Sequence, residues 1–459
     1  MFTILDTVNR GLCVGCGACA VATGLPGLIR LDDDGMCVAD LGSLPHELLP
    51  RADVVCPFSD RALDEDEVSS RVHRGELVAH ELLGRFTGTY IGRVDDTLYL
   101  EGSSSGGMTS WMLSELVKRG VVDAVVNVGR TDPESGAIFS YGASDLTEIK
   151  QRRKSDYYSV TLAEAFNQVR SDDRRFALVG VPCFIKAARL LAEEDPVLKE
   201  RLVFFVGLVC GHMKSRYFGE SMAWQLGIAP GDVAAVDFRV KNKDRAASDY
   251  DFGAQSRAEG EWRYRRTRDL VGGNWGYAAF QPEACNFCDD IFAETADVAF
   301  GDAWLPEHQS DWRGTNVVVS RSPLADEIIR RGIESGELEA AAADPDQVAR
   351  SQAGNFRHRR LGLAVRLADD EARGLPIPKK RVEPGLGGVS ERRLKIIRKR
   401  RELSRLSFST YRAAKAAGDL SIYLNAMAEG IREYKRIETP LWQRLARKAR
   451  SEVRRLLRR

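Results

Sequence analysis

Apolar positions along the chain follow two rhythms. Unbroken runs such as Phe176–Val179 and the LVFFVGLV stretch before Cys210 read as strands buried on both faces, because no polar residue alternates with the apolar ones. Each run leads into a glycine-bearing turn, GVPC or CGH, and the first turn opens a helix, which is the strand–turn–helix order of an α/β sheet. From 98 to 129, LYLEGSSSGGMTSWMLSELVKRGVVDAVVNVG reads as strand, turn, amphipathic helix and strand. Within it Met108, Trp111, Met112, Leu116 and Val117 recur at helical spacing and predict a core face. Further on, LPIPKKRVEPGLGG is rich in proline and glycine and predicts a linker. Three helical patterns follow: SERRLKIIRKRRELSRLSF, SIYLNAMAEGIREYKRI and TPLWQRLARKARSEVRRLLRR. In the last, Trp442, Leu445, Ala446, Ala449, Val453, Leu456 and Leu457 share one face, opposite a face of Arg and Lys.

At 459 residues, more than one core is expected, and a hydrophobic content of 44% excludes a wholly disordered chain. No window approaches 18 apolar residues, and the N-terminus has neither a basic start nor an apolar stretch, so a cytoplasmic protein is expected. The net charge of +1 hides a division. Residues 379–459 carry 24 Lys and Arg against 8 Asp and Glu, which leaves 43 against 58 in residues 1–378. An acidic body thus bears a basic extension. Its last helix suits an anionic membrane surface, an acidic partner protein or the acidic body itself. No specific nucleic acid is expected, since no recognised reading module accompanies the charge.

Nine cysteines add chemistry. Cys13, Cys16 and Cys19 form Cys-x2-Cys-x2-Cys with Gly15 and Gly17 between them, and Cys56 precedes Pro57. Three close thiolates and a distant Cys-Pro follow the pattern of a ferredoxin-type 4Fe–4S cluster. Structural zinc is the rival reading, though its sites usually present two separated pairs. Disulfides are not expected without an export signal. Cys183 and Cys210 fall at the carboxyl ends of the two apolar strands, where open α/β sheets build their sites. With the Cys285-x2-Cys288 loop they would supply four ligands for a second cluster. Cys37 is left over, with packing its expected role.

The Ser103–Gly107 turn offers hydroxyls and backbone N–H groups at a helix start, either as an anion cradle or simply as a cap. His212, beside Gly211, is a candidate proton donor, with a structural role as the alternative.

Taken in order, EGSSSGGMTSWML, KSDYYS, GVPCFIKAARLL, GLVCGH, CNFCDDIFAETADVAFGDAW and GTNVVVSRS resemble the coenzyme F420 hydrogenase/dehydrogenase beta-subunit family. That family includes F420-reducing hydrogenase beta subunits and 7-hydroxymethyl chlorophyll a reductase. The resemblance implies FAD and two 4Fe–4S clusters. It assigns FAD contacts to Ser103, Ser104, Ser105, Gly106, Gly107, Thr109, Lys154, Ser155 and Asn316, and one cluster to Cys183, Cys210, Cys285 and Cys288. It supports Cys13, Cys16, Cys19 and Cys56 as ligands of the other. Lys154 is a weak catalytic candidate, and Asp156 stands where Lys is expected. Gly301, Asp302 and Trp304 match a turn in which Asp302 is expected to bond its own loop.

The fold expected is therefore α/β to α+β. A ferredoxin-like domain over 1–80 precedes a flavin and second-cluster domain over 81–374, a linker over 375–389 and a basic helical extension over 390–459. The function expected is a flavin and iron–sulfur oxidoreductase that couples one-electron carriers, such as ferredoxin, to a hydride step on F420 or an organic substrate. A non-catalytic electron-transfer subunit and a basic iron–sulfur interaction protein are the alternatives.

Overall fold

An eight-stranded sheet runs through the middle of the molecule, in a computed structural model that describes residues 1–131 and 136–439. Its strands lie in the order Leu338–Ala342, Gly88–Val94, Asn316–Ser320, Val298–Asp302, Leu202–Leu208, Phe176–Gly180, Ala124–Arg130 and Phe139–Ser144. The four from Val298–Asp302 to Ala124–Arg130 are mutually parallel, and antiparallel strands flank them on both sides. Phe176–Gly180 is buried at every position, as its unbroken apolar run requires of a central strand. Helix Pro182–Glu194 follows it, beginning with a proline whose missing N–H costs nothing in a first turn.

This topology brings several chain segments to one sheet edge. Cys183 and Cys210 follow strands that end there. Asp302 pairs in register with Asn316, and Asn316 with Gly92, so the loop leaving Val94 toward Ser103–Gly107 begins at the same edge. A separate three-stranded sheet, Val233–Val240, Asp251–Ser256 and Trp262–Arg266, carries Arg239 near the end of its first strand and Lys241 just beyond it.

One expected strand is absent. LYLE forms the short helix Thr97–Glu101, capped where the Asp96 carboxylate accepts the Tyr99 N–H at 3.0 Å. Leu98 is 79% exposed, so the apolar triplet is not sandwiched as a central strand would be. A good cap and an exposed face favour a turn of helix over a strand.

The first 72 residues form four short helices, Ile4–Asn9, Ala18–Thr23, Leu49–Val54 and Glu65–Val72, with a hairpin of Ile29–Leu31 and Cys37–Ala39. Their apolar side chains share one continuous core with the sheet, joining Leu12, Ala18 and Val55 to Phe166, Leu178 and Phe184.

Residues 375–389 contain no helix or strand, yet they are tied down. The Lys379 N–H donates to Asp60 at 2.8 Å, the Lys380 ammonium lies over the Phe58 ring, and Arg381 pairs with Glu294 at 2.8 Å and Asp289 at 3.3 Å. Helices Glu391–Ala417 and Ser421–Glu438 then form a hairpin against the body. Arg401 reaches Asp370 at 2.7 Å and Glu283 at 2.7 Å, and Arg10 joins Asp370 from the N-terminal region. Tyr411 and Tyr423 pack on Phe280, each with ring centroids 5.5 Å away. The described part of the basic extension therefore docks on the acidic body. The Trp442-to-Leu457 face lies outside the described residues. Among the described residues no helix is long and apolar enough to cross a membrane.

Candidate functional site

The N-terminal cysteines gather around one pocket. Cys13, Cys16, Cys19 and Cys56 line it with Ile4, Val8, Leu12 and Phe58. Gly15 and Gly17 hold φ values of 67° and 87°, the left-handed conformation that lets three thiols turn inward. A side chain at Gly15 would also collide with the Cys37 carbonyl. Cys37 itself faces away, its N–H donating to Ser159 Oγ at 2.9 Å and its Sγ lying 3.9 Å from the Arg216 guanidinium. The Ala39 N–H donates to Cys13 Sγ at 3.3 Å. Burial pushes the Cys56 thiol up to about 11, and Cys13 beside it adds to the rise.

Cys183, Cys210, Cys285 and Cys288 come together from separate places in the sequence. The charges that bear on Cys183, after burial, are those of Cys288, Cys210 and Cys285, followed by Cys16 of the first set. Helix Ala18–Thr23, which carries Cys19, packs against helix Pro182–Glu194, which carries Cys183, so the two sets are neighbours. The Met213 N–H donates to Cys285 Sγ at 3.2 Å, and the Met213 thioether lies 3.8 Å from Cys183 Sγ. The Cys210 N–H donates to the Ile291 carbonyl at 3.0 Å, which holds the Cys285–Cys288 loop against the strand end.

Around this second set lies buried positive charge. Arg359 is 1% exposed and forks onto the carbonyls of Gly211 at 2.6 Å and Cys288 at 3.1 Å. Burial opposes its charge, yet Cys288, Cys285, Cys210 and Cys183 together hold its pKa above the ordinary guanidinium value. Lys214 is buried over the rings of Phe218 and Trp275 and donates to the Ala279 carbonyl. His212, whose ring lies 4.4 Å from that of Trp275, is driven well below its usual range by burial and by Lys214, Arg400 and Arg359. Burial in that setting favours the neutral imidazole.

The Ser–Gly loop is built as a cradle. The Ser155 N–H donates to Ser104 Oγ at 2.9 Å, and Ser103 Oγ donates to the Tyr99 carbonyl at 2.9 Å. A side chain at Gly106 would lie 2.7 Å from Asn316 Oδ1. Asn316 accepts the Met108 N–H at 3.1 Å and donates to the Gly301 carbonyl at 3.1 Å, so its amide is spent fastening the loop. Thr109 follows, half-buried, in the first turn of helix Met108–Lys118. Lys241 donates to the carbonyls of Leu100, Ser105 and Arg313 at 2.6–2.9 Å. Arg239 pairs with Asp302 at 2.8 Å, and Lys154 with Asp237 at 3.0 Å. Burial raises the Asp156 carboxyl to about 8, against the pull of Arg130.

Aromatic side chains connect the two places. Tyr157, two residues beyond Ser155, packs on Trp275 at 4.8 Å, and Trp275 meets His212 beside Cys210.

These surroundings fit the groups that the sequence suggests. Four thiols facing a buried guanidinium suit an anionic iron–sulfur cluster. At the loop, Thr315 Oγ1 is buried and has no hydrogen-bond partner among the described residues. It adjoins Ser105, whose Oγ lies 3.4 Å from the Thr315 carbonyl, and Arg93 and Lys241 flank it from neighbouring elements. A loop at a helix N-terminus with a spare buried hydroxyl suits a phosphate-bearing group.

Comparison with known proteins identifies relatives of this chain. Residues 89–167 match the N-terminal part, and residues 173–346 the C terminus, of the coenzyme F420 hydrogenase/dehydrogenase beta subunit. The chain belongs to this family. Over 339 residues it is 26% identical to one of the subunits of the F420H2 dehydrogenase of Methanosarcina mazei, a match that covers 70% of this chain and 83% of that protein. Over 241 residues it is 25% identical to an uncharacterized protein of Methanocaldococcus jannaschii, covering 52% and 81%. A chain in a xenon-derivatised F420-reducing NiFe hydrogenase complex from Methanosarcina barkeri superposes with a TM-score of 0.48. It is 16% identical, with 66% of this chain and 98% of that chain covered.

The Ser–Gly loop and the second cysteine set lie inside the matched segments, whereas the N-terminal cysteines and Arg359 lie outside them. Sequence reasoning missed Arg359, Lys214, Arg239 and Lys241. For Arg359 a signal existed: Phe356, Arg359, Leu363 and Arg366 recur at spacings of three and four, and all are buried.

Proposed function

We propose that this family member is a flavin and iron–sulfur oxidoreductase, with FAD on the Ser–Gly loop and one 4Fe–4S cluster on each cysteine set. The reading rests chiefly on one observation: the two sets of four cysteines share no segment, yet the helix that carries Cys19 packs on the helix that carries Cys183, with the cradle joined to the inner set through Tyr157, Trp275 and His212. Bound flavin supplies two-electron hydride chemistry and the clusters supply one-electron transfer, which together couple hydride donors to single-electron carriers.

The chain's own residues bind, orient and insulate. Ser104, Ser105 and the N-terminus of helix Met108–Lys118 offer donors to a diphosphate, and Lys241 fixes the loop in that shape. Asn316 holds Gly106 against the strand so that backbone can approach the ligand closely. Tyr157, Phe218, Phe238 and Trp275 keep water from the space between cradle and inner cysteines. Lys154 and Arg153 stand at the cradle rim and suit an acidic substrate, and the relatives' names favour F420.

Anaerobic purification with iron and flavin counts tests the reading; about eight irons and one flavin per chain are expected. Zinc in place of iron, or absence of flavin, would overturn it. F420H2, NADH, NADPH and reduced ferredoxin are then offered singly, and the donor that bleaches the flavin identifies the electron source. Both groups present with no response to any of them would favour a subunit that passes electrons only within a larger complex.

A further inference from the structure

We propose that Arg359 is a positioning residue whose charge raises the reduction potential of the inner centre, held by Cys183, Cys210, Cys285 and Cys288, above that of the N-terminal centre. This inference rests on the two-cluster reading.

One-electron reduction adds a negative charge to a cluster already made anionic by its thiolates, and a fixed buried cation favours the reduced form. Arg359 is fully buried, always protonated as guanidinium groups are, and anchored through four hydrogen bonds to the carbonyls of Gly211, Cys288 and Cys210. It cannot swing away, and those carbonyls belong to the segments that carry three of the four thiols. Among neighbouring charges it acts most strongly on Cys210, Cys285 and Cys288. Of the acidic groups nearby, Asp289 pairs with Arg381, and the Asp290 carboxylate accepts the Glu294 N–H at 2.9 Å.

The N-terminal centre lacks this arrangement. The charges that bear most on its thiols are the other thiols, Cys37 and Asp32, all of them negative when ionised. Its walls are Ile4, Val8, Leu12 and Phe58, and apolar walls disfavour added charge. The two centres, alike in ligands, are thus expected to differ in poise chiefly because of Arg359, which lies outside both family segments and acts more strongly than Lys214 on Cys285 and than Lys380 on Cys288.

The test is a potentiometric titration of the anaerobically purified full chain, followed by electron paramagnetic resonance. Cys285→Ser, which keeps only the N-terminal centre, identifies that centre's signal. In the native protein the inner centre is expected to take the first electron. Arg359→Gln is expected to lower its reduced-to-oxidised ratio at the native midpoint at least tenfold, equivalent to about 59 mV for one electron, without moving the N-terminal centre. If Arg359→Gln fails to load iron, Arg359→Lys decides. An inner midpoint near the native one supports the role of charge, and a tenfold fall overturns it by assigning the effect to the lost hydrogen-bond fork. About eight irons with equal midpoints, or with an unmoved inner midpoint in Arg359→Gln, would overturn this inference alone. Fewer than about four irons in the native chain would overturn the two-cluster reading and this inference with it.

Discussion

The two cysteine sites use the same ligand but reach it by opposite routes. The N-terminal site is a local product: three thiols arise from one short turn, two glycines point them inward, and apolar walls enclose them. The inner site draws on two strand ends, a distant loop and a helix residue beyond that. Its walls carry Arg359, Lys214 and His212. Backbone conformation thus defines the first site, whereas tertiary packing and buried charge define the second. A site of the first kind is sensitive to a single methyl group, and one of the second kind to distant ion pairs.

That contrast can be broken by experiment. The largest effect is expected from Cys285→Ser, which should remove about four of eight irons and about half the visible cluster absorbance. Loss of both halves, or of neither, would show that the two sites do not load independently. Arg401→Met comes next. Asp370 is wholly buried and would keep Arg10 while losing its bidentate partner, so a loss of about 3 kcal/mol is expected in denaturant unfolding. A negligible change would mean that the inner region does not depend on its ion network.

Gly15→Ala is the matching test of the N-terminal site. Left-handed strain together with the collision with Cys37 should cost about 2 kcal/mol. Iron should be lost from the N-terminal site first, with the Cys285-dependent half retained. The smallest effect concerns His73, whose Nε2 lies 3.1 Å from the carbonyl of Glu294, a residue in the loop after Cys288. Burial lowers its pKa to about 4, below the ordinary 6.5. As pH falls below 6.5 the unfolded chain binds the proton first, so stability declines until about pH 4. His73→Gln should recover about 1.4 kcal/mol of that loss at about pH 5.5 and little at about pH 8. Equal slopes for the two proteins would refute the assignment.

The same contrast explains what could be read in advance. Cys13, Cys16, Cys19 and the Cys56–Pro57 pair were legible because spacing alone states their geometry. Strands Phe176–Gly180 and Leu202–Leu208 were legible as unbroken apolar runs, and they carried Cys183 and Cys210 to the correct sheet edge. LYLE was misread because a capped, exposed turn of helix and a short strand share one composition. Arg359 and Lys241 were missed for a different reason. A buried cation resembles a surface cation in sequence, and its partners here are main-chain carbonyls, which carry no sequence signature at all. Segment 375–389 contains no helix or strand, and its sequence does not reveal that Lys379, Lys380 and Arg381 find acidic and aromatic seats.

That last segment bears on how the protein is made. Lys379 and Lys380 seat on Asp60 and Phe58, close to the Cys56 turn, while Arg381 and Lys380 seat beside Asp289, next to Cys288. All nine cysteines precede this clasp in the chain. During synthesis, every one of these cysteines therefore emerges before the residues that tie the Cys56 turn to the Cys288 loop.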